Sequence, residues 1–369
     1  MNVMATTPAW GVPVAAGVGA VVGWAVARGA ARMGERGRAR GVGAALAVGA
    51  AAAAALWWWE VCAVAQLPPA VAADVTLATL AWRWAGHLTL FGFLAAATWV
   101  DLRERVIPDA ITLPGVVAGL AWAGLRPDSL PPIARAVPRS FAAPLLEADV
   151  LGLAGPLGGP APPEWLGAAP ALGGLGLAVA VFAAWWLGCT APPEADASGR
   201  RPFDPRPGVL AAGLAGIGAA WWHGGDHWLA LVSAVVGMAV GMALVWATRI
   251  GASRALGREA LGFGDVTLMA VIGAWLGWQG ALVTCCIGVI VGLAHGLVQF
   301  ALARDNELPF GPSLCLGAGL VVVGWRPLWA RLEPVFERPL EIAAVAAAVI
   351  VLTALTLAAW WRLGGRPAG

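Results

Sequence analysis

Residues 266–294 read VTLMAVIGAWLGWQGALVTCCIGVIVGLA, a run without a single charged side chain. A chain carrying such a run cannot close it inside a small water-soluble core, and about 20 apolar residues suffice to cross the hydrocarbon of a bilayer as a helix. The run is not isolated. WLALVSAVVGMAVGMALVWA at 228–247 and LEIAAVAAAVIVLTALTLAAWW at 340–361 repeat the pattern, and over 369 residues the chain is 60% hydrophobic and only 12% charged. In lipid every backbone N–H and C=O must be satisfied internally, and runs of this length satisfy them as helices. The expected fold is therefore all-α, a polytopic transmembrane helix bundle of about 8–11 spans. The candidate spans are 9–27, 41–59, 84–100, 110–125, 170–189, 207–222, 228–247, 266–281, 282–303, 312–325 and 340–361. The first has arginines after it and none before it, the wrong polarity for a cleaved signal peptide, so it is read as a retained span. Residues 126–169 are rich in proline and are read as an irregular insert.

Orientation follows from the arginines, because short cytoplasmic loops accumulate basic residues. Lysine is absent, so arginine alone carries this signal; with Tyr also absent and 22 Trp, the usage reads as a base-composition bias of the gene. With the N-terminus outside, Arg28, Arg32, Arg36, Arg38, Arg40, Arg103, Arg105, Arg200, Arg201, Arg206, Arg249, Arg254, Arg258, Arg304, Arg362 and Arg366 fall on the cytoplasmic side. Arg126, Arg135, Arg139, Arg326, Arg331 and Arg338 fall outside, with Arg83 near the outer end of the third span. A net charge of +2 and no single basic face give no nucleic-acid signal. The five cysteines form no CxxC pair, so neither a metal site nor a disulfide framework is expected, and no cofactor is implied.

Ionisable residues at membrane depth are costly unless paired or solvated, which makes each a candidate functional site. They are Glu60, Asp101, Asp109, Asp265 and Asp226. The alternation of spans brings Asp101, at the end of LTLFGFLAAATWV, and Asp265, at the start of the 266–281 run, to the same cytoplasmic edge. Two carboxylates that pack together can share a proton, one activating water while the other protonates a departing nitrogen. Gly262 and Gly264 would let the backbone loosen beside such a pair. From position alone, Asp265 also reads as an N-cap for a helix starting at Val266, while a helix C-terminus offers Asp101 no structural role. Glu60 and Asp109 read as interfacial. His223 and His227 flank HGGDH, a poor metal site.

The blocks ATWVDLRERVIPDAITLPGVVAGL at 97–120, EALGFGDVTLMAVIGAWLGWQGAL at 259–282 and ELPFGPSLCLGAG at 307–319 resemble, in this order, the signature segments of the type IV prepilin peptidases, membrane aspartic proteases with a GxGD motif. The resemblance implies a catalytic pair, Asp101 and Asp265. Around it the motif residues are Gly262, Gly264, Pro108, Asp109, Glu259, Pro309, Phe310 and Gly311. It implies an aspartic endopeptidase in the inner membrane of a bacterium, cutting the leaders of type IV prepilins or type II secretion pseudopilins at the cytoplasmic face. On this reading residues 84–325 form the protease core, 1–83 supply N-terminal spans, and 326–369 add a C-terminal span. Two departures stand out. The loop RGAARMGERGRAR lacks the paired CxxC motifs linked in many members to N-methylation, and Thr267 replaces the usual lysine. The alternative from another class is a proton- or ion-coupled transporter using the same carboxylates.

Overall fold

The computed structural model describes residues 11–33, 42–65, 75–127, 172–190, 206–257, 261–303, 310–336, 344–353 and 355. The 126–169 insert lies outside these beyond residue 127. Among the described residues there is no strand. In chain order the helices are α1 (Gly11–Met33), α2 (Val42–Trp57, continued by a π-helical turn Trp58–Cys62), α3 (Leu77–Glu104), α4 (Asp109–Leu125), α5 (Leu172–Cys189), α6 (Arg206–His223), α7 (Gly225–Leu256), α8 (Phe263–Ala303) and α9 (Gly311–Phe336). A last apolar helix, α10, covers Ala344–Thr353. Six helices are long and apolar enough to cross a membrane, among them α3, α7 and α8. The protein is an all-α multi-pass membrane bundle, as its hydropathy predicts.

Side-chain matches fix the direction of each helix. Gly115 on α4 meets Val271, and Gly119 meets Trp275, so α4 runs parallel to the start of α8. Trp275 also donates from Nε1 to the Gly115 carbonyl at 3.0 Å. Gly86 lies against Trp122, and Gly319 against Phe91, so α3 is antiparallel to both α4 and α9. Residues 105–108, residues 261–262 and the start of α9 consequently share one end of the bundle, here called the aspartate end.

The α8 segment does not run straight. Met269 and Ala281 both lie against Gly241 of α7, and Gly273 and Gly277 both lie against Gly237. A continuous helix would hold residues 269 and 281 about 18 Å apart. The chain instead reverses at Gly277, whose φ of 69° and ψ of 178° are open to glycine and strained for side chains with Cβ. Two antiparallel legs result, 263–276 and 278–303. The sequence places the boundary at 281/282; the structure moves it to Gly277, a residue without a Cβ to strain at this turn. Gly237 and Gly273 let α7 and the first leg pack backbone to backbone, the small-residue contact that lipid-embedded helices favour.

Apolar packing falls into two cores sharing α3. Leu80, Trp84 and Leu88 pack with Ala15 of α1 and with Ala53, Leu56 and Trp57 of α2. Leu90, Leu94, Ala97 and Val100 join the main core of α4 to α9.

Candidate active site

Asp101 occupies the last turn of α3, buried to 6% exposure. The helix does not close at Asp101, as the hydropathy suggests, but continues to Glu104. Arg105 then turns into the left-handed region, φ 56°, and its N–H returns to the Asp101 carbonyl at 2.9 Å. A carboxylate at a helix C-terminus opposes that helix's dipole. Here the N-terminus of a second helix offsets it: the backbone N–H of Gly311, first residue of α9, faces the Asp101 carboxylate. The approach is so close that a Cβ at Gly311 would stand 2.6 Å from Asp101 Oδ2. Oδ2 is buried without a hydrogen-bond partner.

Asp265 enters from another direction. Helix α8 begins at Phe263, so Asp265 lies inside its first turn and is not the cap that position alone suggests. Its N–H reaches the Gly262 carbonyl at 3.3 Å, and it is 9% exposed. Asp101 and Asp265 act on each other electrostatically, and both act on Cys315 of α9, which also meets the Thr98 hydroxyl.

The motif glycines have different jobs. At Gly264 a Cβ would fall 3.0 Å from the Ile107 Cβ and 3.2 Å from the Ile107 nitrogen, so the GxGD turn packs directly on the segment between α3 and α4. Gly262 is exposed, and a Cβ there would meet nothing nearer than 4.0 Å; no crowding demands glycine. Ile107, 5% exposed, is the wedge at which the segments meet, since its Cδ1 would also stand 2.9 Å from a Cβ at Gly311. Sequence reasoning passed over it; only its place in the IPD block marked it. Pro108, at φ −75° and ψ 147°, occupies the N-cap position of α4, its carbonyl accepting from Ile111 at 2.9 Å. Asp109 follows as the first residue of α4, half-buried. Phe310 accepts through its carbonyl from Ser313 at 3.0 Å and Leu314 at 3.1 Å, starting α9. Glu259 and Pro309 lie outside the described residues. The Thr267 hydroxyl donates to the Gly264 carbonyl at 3.0 Å, bracing the turn. From α7, Arg249 Nε donates to the Leu261 carbonyl at 2.9 Å, and its guanidinium lies 5.7 Å from the Phe263 ring centroid.

The remaining candidates sit elsewhere. Glu60 is not interfacial: it is 2% exposed, on the π turn after α2, and bonds His87. Arg83, read as near the outer end of the third span, lies buried within α3, which starts at Leu77. The rings of His223 and His227 meet edge to face at 4.7 Å, and His227 Nδ1 bonds the Gly124 carbonyl at 2.7 Å. The side chain of Asp226 lies outside the described residues. Among the described residues, no three His, Cys, Asp or Glu side chains gather in metal-binding proximity.

Residues 206–297 match the type IV leader peptidase family. The match contains Gly262, Gly264 and Asp265, whereas Asp101 and Gly311 lie beyond it. The chain is similar to prepilin leader peptidase/N-methyltransferases of Aeromonas salmonicida, 33% identical over 98 residues, and Pseudomonas putida, 34% over 101 residues. For Xanthomonas campestris pv. campestris the figures are 39% over 95 residues. These alignments cover 25–27% of this chain and 33–35% of the relatives, so the chain spans about a third of the length of the curated relatives it matches. No solved structure matches.

Proposed function

With residues 206–297 falling in the type IV leader peptidase family, we propose that the chain is a membrane aspartic endopeptidase that removes the leaders of prepilin-like proteins, using Asp101 and Asp265. The observation that carries the reading is the meeting of two buried carboxylates at one end of the bundle, from helices joined by neither sequence nor direct connection. Like charges held together share a proton. The ionised member draws a proton from water as it attacks the peptide carbonyl, and the protonated member gives its proton to the leaving nitrogen. Titration belongs to the pair, so neither aspartate has a fixed role. Arginine placement supports a cytoplasmic position for this end, which in the proposal is the inner face of a bacterial inner membrane. There the cut would fall between a polar leader and the apolar helix of a prepilin or pseudopilin.

The proposal covers only the peptidase half of the relatives' name, because RGAARMGERGRAR holds no cysteine for a metal-bearing methyltransferase segment. The test is co-expression with a prepilin precursor and measurement of its mobility. Conversion to the shorter form is expected with the intact chain and not with Asp101→Asn or Asp265→Asn. Full conversion by either variant overturns the assignment of the pair.

A further inference from the structure

The far end of α3 holds a second buried ionisable group of residues, unconnected with proteolysis. Arg83 and His87 lie four residues apart on one face of α3, at 2% and 0% exposure, and Glu60 at 2% comes to them from the π turn. Arg83 and Glu60 interact electrostatically, and His87 Nδ1 is bonded to Glu60 Oε1. The π turn here closes α2, and an ionisable residue at membrane depth needs a reason. Charge balance alone favours a resting arrangement with a Glu60 carboxylate opposite Arg83 and a neutral His87 whose proton, if on Nδ1, lies in the bond to Oε1. The other ends of both groups, His87 Nε2 and Glu60 Oε2, are buried and have no partner.

A purely structural ion pair closes its hydrogen bonds, since a half-satisfied buried network costs more than an apolar core. This one leaves an open acceptor on each side of a single bonded pair. We propose that Glu60 and His87 form a proton-binding site inside the bilayer, in which the chain Nε2, Nδ1, Oε1, Oε2 takes up and gives back one proton carried by water. The step balances. A water-borne proton adds to Nε2, the Nδ1 proton passes to Oε1, and loss of that proton from Glu60 to a second water restores the carboxylate. The reverse transfer, a proton returning through Oε1 to Nδ1 as Nε2 gives its proton to water, resets the tautomer. Arg83 stays charged throughout and keeps the resting state neutral overall.

The surrounding elements bring few competing charges. The π turn carries Cys62, α3 carries Arg83, and α9 brings Arg326, whose Nη1 reaches the Ala65 carbonyl at 3.5 Å. Helix α1 has no ionisable side chain before Arg28, and α2 has none.

The chain has only four histidines, so nitrogen NMR of the histidine-labelled protein in nanodiscs can separate them. Spectra of His223→Gln, His227→Gln and His295→Gln assign His87 by elimination and leave the site intact. Across roughly pH 4–9, the window in which histidines titrate, Nε2 of His87 is expected to move between its non-protonated and protonated positions, and Glu60→Gln to abolish that movement. If His87 keeps one protonation state while exposed His223 and His295 titrate, the pair is structural and the proposal fails. If the titration persists unchanged in Glu60→Gln, the pair is not the proton-binding unit and it fails equally.

Discussion

One helix, α3, carries both buried polar groups of residues, and the two are built on opposite principles. At the aspartate end, two acids face each other with Cys315 and an apolar wedge, Ile107, between the segments. At the far end, one acid is matched by an arginine and a histidine. In a low-dielectric interior, like charges make a reactive pair and opposite charges make a neutral one. Burial alone therefore does not mark a catalytic residue here. Composition of the group does, and so does what stands beside it: α9 directs its N-terminus at Asp101, while the far group shares its stretch of α2, the π turn and α3 with the apolar cluster of Trp57, Trp84 and Leu88.

The largest expected separation between the two ends is functional. Asp101→Asn or Asp265→Asn should lower leader cleavage by about 10²–10⁴-fold, the usual worth of a general acid or base, with the helical circular dichroism of the membrane protein preserved. If instead the aspartate variants unfold and Glu60→Gln is the one that loses cleavage, the two ends have been assigned the wrong way round.

Next comes stability. Glu60→Gln removes the carboxylate from a buried ionic group that includes Arg83 and His87, which should cost about 3–5 kcal/mol in detergent unfolding. Glu60→Met combined with Arg83→Met should recover most of it. A loss no greater than 1 kcal/mol for Glu60→Gln would mean that the far group is hydrated like a surface pair.

Gly311→Ala sharpens the aspartate end itself. The added methyl must displace the Asp101 carboxylate from a 2.6 Å approach, and a shift of about 1 Å in a reacting group is worth about 10²-fold in turnover. Cleavage assays should show the fall in kcat with the leader's KM little changed. The smallest effect on cleavage is expected at Trp275→Phe, which loses the bond to the Gly115 carbonyl and part of a buried indole packed on Trp122. It should cost about 1–3 kcal/mol of unfolding free energy and leave cleavage alone, because it acts midway between the two ends.

Hydropathy and arginine placement were enough to read the bundle, and span parity alone put Asp101 and Asp265 on one edge. The blocks around them supplied the candidate residues, of which Asp101, Gly264, Asp265 and Gly311 gather at one end beside Ile107. What stayed hidden depends on distance through space. Nothing in the IPD block announces that Ile107 will touch both Gly264 and the start of α9. The far group left a trace that went unread: Arg83 and His87, four apart in the middle of an apolar stretch, share a helix face, which in lipid demands a partner. The reversal at Gly277 is hidden for another reason. The run around it is rich in glycine, and hydropathy cannot tell the one residue where the backbone turns from those that merely pack closely.

That reversal bears on how the first leg meets the membrane. The leg Phe263–Leu276 is about 21 Å long, shorter than the roughly 30 Å of hydrocarbon, and every residue from 265 to 285 is buried by protein. Such a leg gains little by entering lipid on its own. The reversal instead lets it pair as one half of a hairpin with residues 278–303, so that α7 and the second leg, and not lipid, receive its apolar faces.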